Sequence, residues 1–442
     1  MDLLEKCVRS LLSVAPMVPR KEDLSREMHA VARAVERGYF TPDEEDVVRS
    51  RFAQYVQARA VLLEVLQDLR SSRARPRSGS SDDLRAFLVG FTTAMMLIRV
   101  GRFLVESFAT QPMLRKKLDE AEPRFGLPAN QFTVIYRSLS HPGKVYGFHR
   151  ALQYAHTHEK ELAELEHDAA VQDVFPLYAE EWERVEWSIG RASQRVLNNR
   201  LHRLKQHPRQ QVDRALFSLM RWGGMTISDF QNPFHRKRVS ASIRKKAEAL
   251  LEPGDIIVTR HDDALSNLFL PGYWPHGALY MGSESQRADL GVTLSPEKVR
   301  KALDPFSVLE AKKDGVLFRP LTETLHVDAF AVLRPRLDPA ERAKGLSRAA
   351  THEGKLYDFS FNFTRADRLV CTEVIYRGFH GVGPIRFDLK PHSGRMGISA
   401  EDVLDLAIDA ELFDVVSVYG ADGNRWVDGP TARAALQKSY RA

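Results

Sequence analysis

The chain has 442 residues, 43% of them hydrophobic and 28% charged, which suits a globular protein of two or three domains with more than one core. Its 26 glycines and 22 prolines are too few for a collagen-like or low-complexity chain, and only two cysteines, Cys7 and Cys371, exclude a disulfide framework or a CxxC-type zinc or redox site. The balance of 64 basic to 58 acidic residues, net +6, is a mild excess that bears on solubility rather than on a partner.

The N-terminus, Met1-Asp-Leu-Leu-Glu-Lys6, has acidic residues where a signal peptide needs a basic region, so a cytoplasmic protein is expected. Residues 44–70 lack Gly and Pro and place Val47, Phe52, Tyr55, Val56, Val61, Leu62, Val65, Leu66 and Leu69 near helical spacing. The run Arg70-Ser-Ser-Arg-Ala-Arg-Pro-Arg-Ser-Gly-Ser-Ser81 interrupts the pattern. It reads as a solvated loop, with phosphate or anionic-lipid contact as the alternative; no aromatic residue interleaves to stack on bases, which disfavours nucleic acid. Ser81-Asp-Asp then offers N-cap chemistry for a second long helix ending about Phe108. Within it, residues 87–98 form a charge-free stretch too short to span a bilayer and broken by Arg99 and Arg102. The stretch fits a buried bundle helix better than a membrane contact. Helical patterns recur over 145–167 and 178–207, giving a bundle of about seven helices up to residue 245.

From Leu251-Glu-Pro-Gly254 the texture changes to short β-type runs at 255–259, 277–281, 307–311, 316–319, 328–333 and 413–419, with a tight hairpin predicted at Lys312-Lys-Asp-Gly315. Helices are predicted over 242–250, 339–350, 369–379 and 400–407. The fold class is α+β: a helical domain over residues 1–245, then a domain over 246–442 with an antiparallel sheet packed against helices.

No phosphate-binding loop, HExxH zinc motif or GxSxG elbow is present, and Gly381-Val-Gly383 lacks the third glycine of a dinucleotide fingerprint. Glu164-Leu-Glu-His167 has Glu-x-x-His spacing, but a di-iron bundle needs a second copy, and the segment reads as a solvated helix surface. His156 and His158 point to different sides of a helix. No metal or other cofactor is expected.

The informative residues come in the order His, Glu, Cys. Cys371 lies in Arg368-Leu-Val-Cys-Thr-Glu-Val-Ile-Tyr-Arg-Gly378 at the predicted start of a helix, where free backbone N–H groups and the dipole favour a thiolate and can stabilise an oxyanion. His276 opens the strand Pro275-His-Gly-Ala-Leu-Tyr-Met-Gly282, from whose end an imidazole can reach that helix. Alternation places Ala278 and Tyr280 on the face of His276, and the small Ala278 is expected to leave room for the helix. Glu310, in the following strand, is a carboxylate among apolar neighbours. A relay follows in which His276 takes the thiol proton, Glu310 orients the ring and Cys371 attacks a carbonyl. On the residues alone, three unconnected side chains remain the alternative.

Four blocks then resemble a known family: Gly254-Asp-Ile-Ile-Val-Thr-Arg260 with Leu265-Ser-Asn267 and residues 271–282; Val308-Leu-Glu-Ala311 with Asp314-Gly-Val316; Tyr357-Asp-Phe-Ser-Phe-Asn-Phe363; and Leu369-Val-Cys-Thr-Glu-Val-Ile-Tyr376. Together they are similar to the permuted papain-like cysteine hydrolases of the YiiX/YebB group, circular permutations of the NlpC-type amidase fold distantly related to lecithin:retinol acyltransferases. The resemblance covers roughly residues 250–380. It implies Cys371 as nucleophile, His276 as general base and acid, and Glu310 as orienting carboxylate. It puts Asp255, Tyr280, Tyr357, Asp358 and Glu373 in matching motifs as supporting or substrate-binding residues. Tyr280, about 13 Å along the strand from His276 at ~3.3 Å per residue, is expected to shape a pocket. Asn362 stands where an acidic residue is expected. The implied activity is cleavage or transfer of an acyl group through a thioester, with an amide bond preferred to a lipid ester. The substrate would be a small molecule, a peptide or a lipid-acyl compound. The rival reading is an inactive papain-like scaffold whose helical half binds a protein partner. No transmembrane span is expected, while peripheral membrane contact stays open.

Overall fold

A computed structural model of the chain describes residues 2–20, 22–23, 31–32, 34–72, 81–108, 112–122, 127–139, 142–192, 237–261, 273–361, 363, 365–392, 395–409 and 412–441. Residues 73–80 of the arginine-rich run, 193–207 of the last helical pattern, Leu265–Asn267, Pro271, Gly272 and Asn362 lie outside the described residues. The chain divides near residue 231 into two units.

The first unit is helical throughout its described residues apart from turns and an isolated bridge between Glu122 and Leu127. Its α-helices include α1 (Leu3–Val14), α2 (Pro42–Ser72), α3 (Ser81–Phe108), α4 (Pro112–Leu118), α5 (Gln131–Leu139), α6 (Pro142–Thr157), α7 (Glu159–Glu164) and α8 (Phe175–Ala192). Phe52, Phe87, Phe91, Phe108 and Phe132 are fully buried, and the charge-free stretch of α3 lies in this core. By length and hydropathy α3 passes the test for a membrane-crossing helix, yet 78% of its most apolar window is buried inside the protein. The hydroxyls of Thr92 and Thr93 are satisfied by donating to the carbonyls one turn back, Leu88 and Val89. The single helix expected over 145–167 is broken at His158, so Glu164 and His167 sit on different segments, α7 and the 3₁₀ turn after it. His158 bonds through Nδ1 to Tyr154 O and stacks on that ring, while His156 packs on Trp182. Among the described residues no group of His, Cys, Asp and Glu has a metal-binding arrangement.

The second unit begins with α9 (Ala241–Glu248), capped by the Ser240 side chain. Next come β1 (Ile256–Arg260), β2 (His276–Tyr280), α10 (Glu284–Leu290), α11 (Pro296–Lys301), β3 (Phe306–Lys312), β4 (Gly315–Pro320), α12 (Leu321–Thr324), β5 (Ala329–Pro335) and α13 (Pro339–Ala350). The remainder comprises β6 (Leu356–Tyr357), β7 (Arg368–Leu369), α14 (Cys371–Phe379), β8 (Lys390–His392), β9 (Arg395–Gly397), α15 (Ala400–Ile408), β10 (Phe413–Tyr419), β11 (Trp426–Asp428) and α16 (Pro430–Tyr440). Seven strands form one antiparallel sheet in the order β11-β10-β5-β1-β2-β3-β4.

Strand alternation divides the apolar side chains between two cores. Ile256, Val258, Leu279, Leu309, Ala311 and Leu333 face α13, α14, α15 and α16, meeting Leu346, Val374, Ile375, Phe379, Leu404 and Leu436. Ile257, Ala278, Tyr280, Val308, Phe330 and Val332 form the other core with Val239, Ala247, Leu251 and Leu325. The helix α14, which begins at Cys371, therefore packs on the face opposite Ala278. Gly277, not Ala278, lets it approach, because a Cβ on Gly277 would stand 2.9 Å from Ile375 Cδ1. On its outer side α14 meets α13 where glycines remove the obstruction: a Cβ on Gly345 would lie 2.4 Å from the Phe379 ring, and one on Gly378 would lie 3.3 Å from Gly345 O.

Candidate active site

Two of the three expected chemical side chains, His276 and Cys371, open an element, and Glu310 lies within β3, two residues before its end. The parallel bridge of β6 to β7 pairs Tyr357 with Leu369, and the chain turns at Val370 (φ −89°, ψ 170°) directly into α14. Cys371 is consequently the first residue of that helix and is buried. The ends of β2 and β3 meet through the register that sets Leu279 opposite Leu309 and Tyr280 opposite Val308, and this carries Glu310 to the His276 end of β2. Two residues apart on one strand share a face, so His276 and Glu310 look out on the same side.

The contacts are those of a relay. His276 Nε2 donates to Glu310 Oε2 at 2.9 Å, leaving Nδ1 for the sulfur, and the imidazole and the Cys371 thiol are hydrogen-bonded. Burial alone would drive the His276 pKa down, but the Cys371 charge and hydrogen bond, followed by those of Glu310, raise it to about 9. Burial likewise opposes ionisation of Cys371. The imidazolium outweighs it, helped by hydrogen bonds from the Gly277 and Thr372 backbone N–H groups, and the thiol titrates below its ordinary value. Both shifts favour the thiolate–imidazolium form of the pair.

Glu310 is fully buried and yet ionised. Its burial is outweighed by Lys312, His276 and Arg319, which hold its pKa far below the usual carboxylate range. Oε1 accepts from Thr324 Oγ1 at 3.0 Å and lies 2.7 Å from Lys312 Nζ and 3.4 Å from Arg319 Nε. Arg319 is itself held by Asp314 at 2.5 Å and Glu323 at 3.1 Å. The sequence reading missed this cationic backing, although the pattern contains it. Lys312 follows Glu310 by two residues on one strand, and the predicted hairpin turn sets Leu317 opposite Glu310, which brings Arg319 diagonally across.

Of the supporting residues, Tyr357 comes to the site. Burial first, then the Cys371 and Asp358 charges, hold its phenol neutral far above the ordinary range. Asp358 fixes the turn that follows: its Oδ1 accepts from Ser360 N at 2.9 Å and Ser360 Oγ at 2.5 Å, and its own N–H donates to Leu369 O. Glu373 occupies the first turn of α14, with Oε1 receiving Arg377 Nε and a terminal nitrogen at 2.8 and 2.5 Å while Oε2 is buried without a hydrogen bond. Burial raises its pKa to about 7 against the pull of Arg377.

The other two expected residues work away from the sulfur. Asp255 is buried and takes a two-pronged ion pair from Arg334, with Nε to Oδ1 at 2.9 Å and a second nitrogen to Oδ2 at 2.8 Å, while Oδ2 also caps Glu252 N–H. It anchors the entry to β1. Tyr280 lies in the core on the face opposite α14, and its hydroxyl meets Gln286 Oε1 at 3.3 Å. The backbone ahead of His276 has an anchor of its own: Glu401 Oε1 accepts the Tyr273 and Trp274 N–H groups at 2.5 and 3.2 Å.

With this geometry in place, the comparison with protein families is specific. Residues 250–396, about a third of the chain, match the family described as permuted papain-like amidase enzyme, YaeF/YiiX, C92 family. Among curated proteins and among solved structures, no match was found.

Proposed function

We propose that the second unit of the chain, whose residues 250–396 match the permuted papain-like amidase family, is a cysteine hydrolase that cleaves an amide through a thioester on Cys371. The observation that carries the reading is the convergence of a helix-start thiol, a strand-end imidazole and a buried carboxylate in one hydrogen-bonded chain. The thiolate attacks the substrate carbonyl carbon, and the oxyanion that forms takes hydrogen bonds from the first N–H groups of α14 and from the neutral Tyr357 hydroxyl. The imidazolium Nδ1–H passes its proton to the leaving nitrogen as the C–N bond breaks, which leaves a thioester and a free amine. The now neutral Nδ1 takes a proton from water, hydroxide adds to the thioester, and the carboxylic acid departs as the thiolate–imidazolium pair is restored. Glu310 keeps the ring turned so that Nδ1 faces the sulfur throughout.

Replacing Cys371 by Ala is expected to abolish both turnover of acyl-amide substrates and labelling by a thiol-directed acyl probe. Activity retained in a correctly folded Cys371→Ala protein would refute the proposal.

A further inference from the structure

The buried carboxylate of the site serves more cations than the relay needs. Glu310 Oε2 is committed to His276, whereas Oε1 is taken by Lys312 Nζ at 2.7 Å and Thr324 Oγ1 at 3.0 Å. Arg319, 3.4 Å away on β4, already has Asp314 and Glu323 as acidic partners. Lys312 approaches Glu323 only at 3.5 Å, so its short contact is the one to Glu310. The lysine stem comes from the last residue of β3, and 29% of the side chain is exposed, so the ammonium is delivered from the solvent edge rather than built into the core.

We propose that Lys312 is a positioning residue for the relay: it occupies one oxygen of Glu310, reserving the other for the imidazole, and it moderates the carboxylate's pull on the imidazolium. This inference rests on the cysteine-hydrolase reading. The charged groups about the pair are His276 on β2, Lys312 on β3, Arg319 on β4 with Asp314 and Glu323, Cys371 on α14, and His261 just beyond β1, whose own ionisation is suppressed by burial and then by Lys237, His276 and Lys312. Removing one positive charge from this set favours the protonated imidazole, so the upper pH edge of the thiolate–imidazolium pair moves up.

The test is the alkylation rate of Cys371 by iodoacetamide between pH 5 and 10, read by mass spectrometry of the Cys371 peptide with the buried Cys7 as internal reference. Lys312→Met is expected to move the upper inflection about one pH unit higher, on the order of a tenfold change in proton affinity, while Lys312→Arg restores the wild-type position. An upper inflection that stays put or moves down in Lys312→Met overturns the proposal. So does loss of the native melting transition in both Lys312→Met and Lys312→Gln, which would assign the ammonium to holding the sheet. A wild-type Cys371 that reacts no faster than Cys7 would remove the cysteine-hydrolase reading itself, a result distinguishable from either.

Discussion

Glu310→Gln tests the relay with little change of shape, since the amide keeps the side-chain volume and leaves an acceptor for Thr324 while removing the charge. His276 gains protons in the folded protein up to about pH 9, against an ordinary value of 6.5, which corresponds to about 3 kcal/mol of preference for the imidazolium. Cys371 and Glu310 are the sources that overcome burial. A unit charge at ~4 Å with an effective dielectric of ~20 contributes about 4 kcal/mol, roughly three pH units. Lys312 cancels part of that field, so a drop of about two units is expected, which brings the upper edge of the ion pair near pH 7. The population of thiolate–imidazolium relative to thiol–imidazole then falls by up to ~100-fold, and iodoacetamide alkylation of Cys371 at pH 7 slows at least ~10-fold. A Glu310→Gln profile that superposes on wild type, with melting unchanged, would show that the carboxylate neither charges nor orients the ring. The expected shift is opposite in sign to that of Lys312→Met, and general loosening of the site cannot produce opposite shifts.

Three further outcomes separate chemistry from scaffolding. Asp255→Ala removes the buried one of Arg334's two acidic partners, Glu252 remaining at 2.6 Å, and should lower stability by about 1–3 kcal/mol in chemical denaturation, yet leave the inflections of the Cys371 alkylation profile in place. Glu373 has a folded pKa near 7, above its unfolded value of 4.5, so its contribution to stability is full below pH 4.5 and is lost as pH rises to about 7. Urea unfolding of Glu373→Gln and wild type should accordingly diverge in favour of the variant by about 3 kcal/mol across that window, and parallel stability curves would rule this out. Gly345→Ala drives a methyl into the fully buried Phe379 ring and should cost about 1–3 kcal/mol in melting experiments while slowing Cys371 alkylation, because the same contact seats α14.

Much of this fold was legible because local signals agreed with one another. Alternation located the six principal strands, and the helix expected over 339–350 is α13, whose capping box of Asp338 and Glu341 closes at its N-terminus. Short elements were missed where periodicity has too few residues to speak: the two-residue strands β6 and β7, the three-residue β8, β9 and β11, and the helices α10, α11 and α12. The helix α16 was missed as well, although Pro430 stands at its first position as a start signal. Pairing of β6 with β7 brings Tyr357 near enough for the Cys371 charge to act on it, a proximity that strand patterns alone do not encode.

The choice of face shows where reasoning from one strand stops. Alternation correctly put His276, Ala278 and Tyr280 on one side of β2, but it carries no information about which side a distant helix will cover. Burial decides that, through the bulk of the opposing residues: Leu279 and Leu309 meet Val374 and Ile375, and the missing side chain of Gly277 supplies the clearance. His276 can serve a helix on the far face only because it is the first residue of its strand, where no preceding strand residue screens the ring from Cys371. A histidine two positions later, at Ala278, would be enclosed in the other core. The chemistry therefore depends on termini, a strand's first residue and a helix's first turn, and on one glycine that lets the two ends meet.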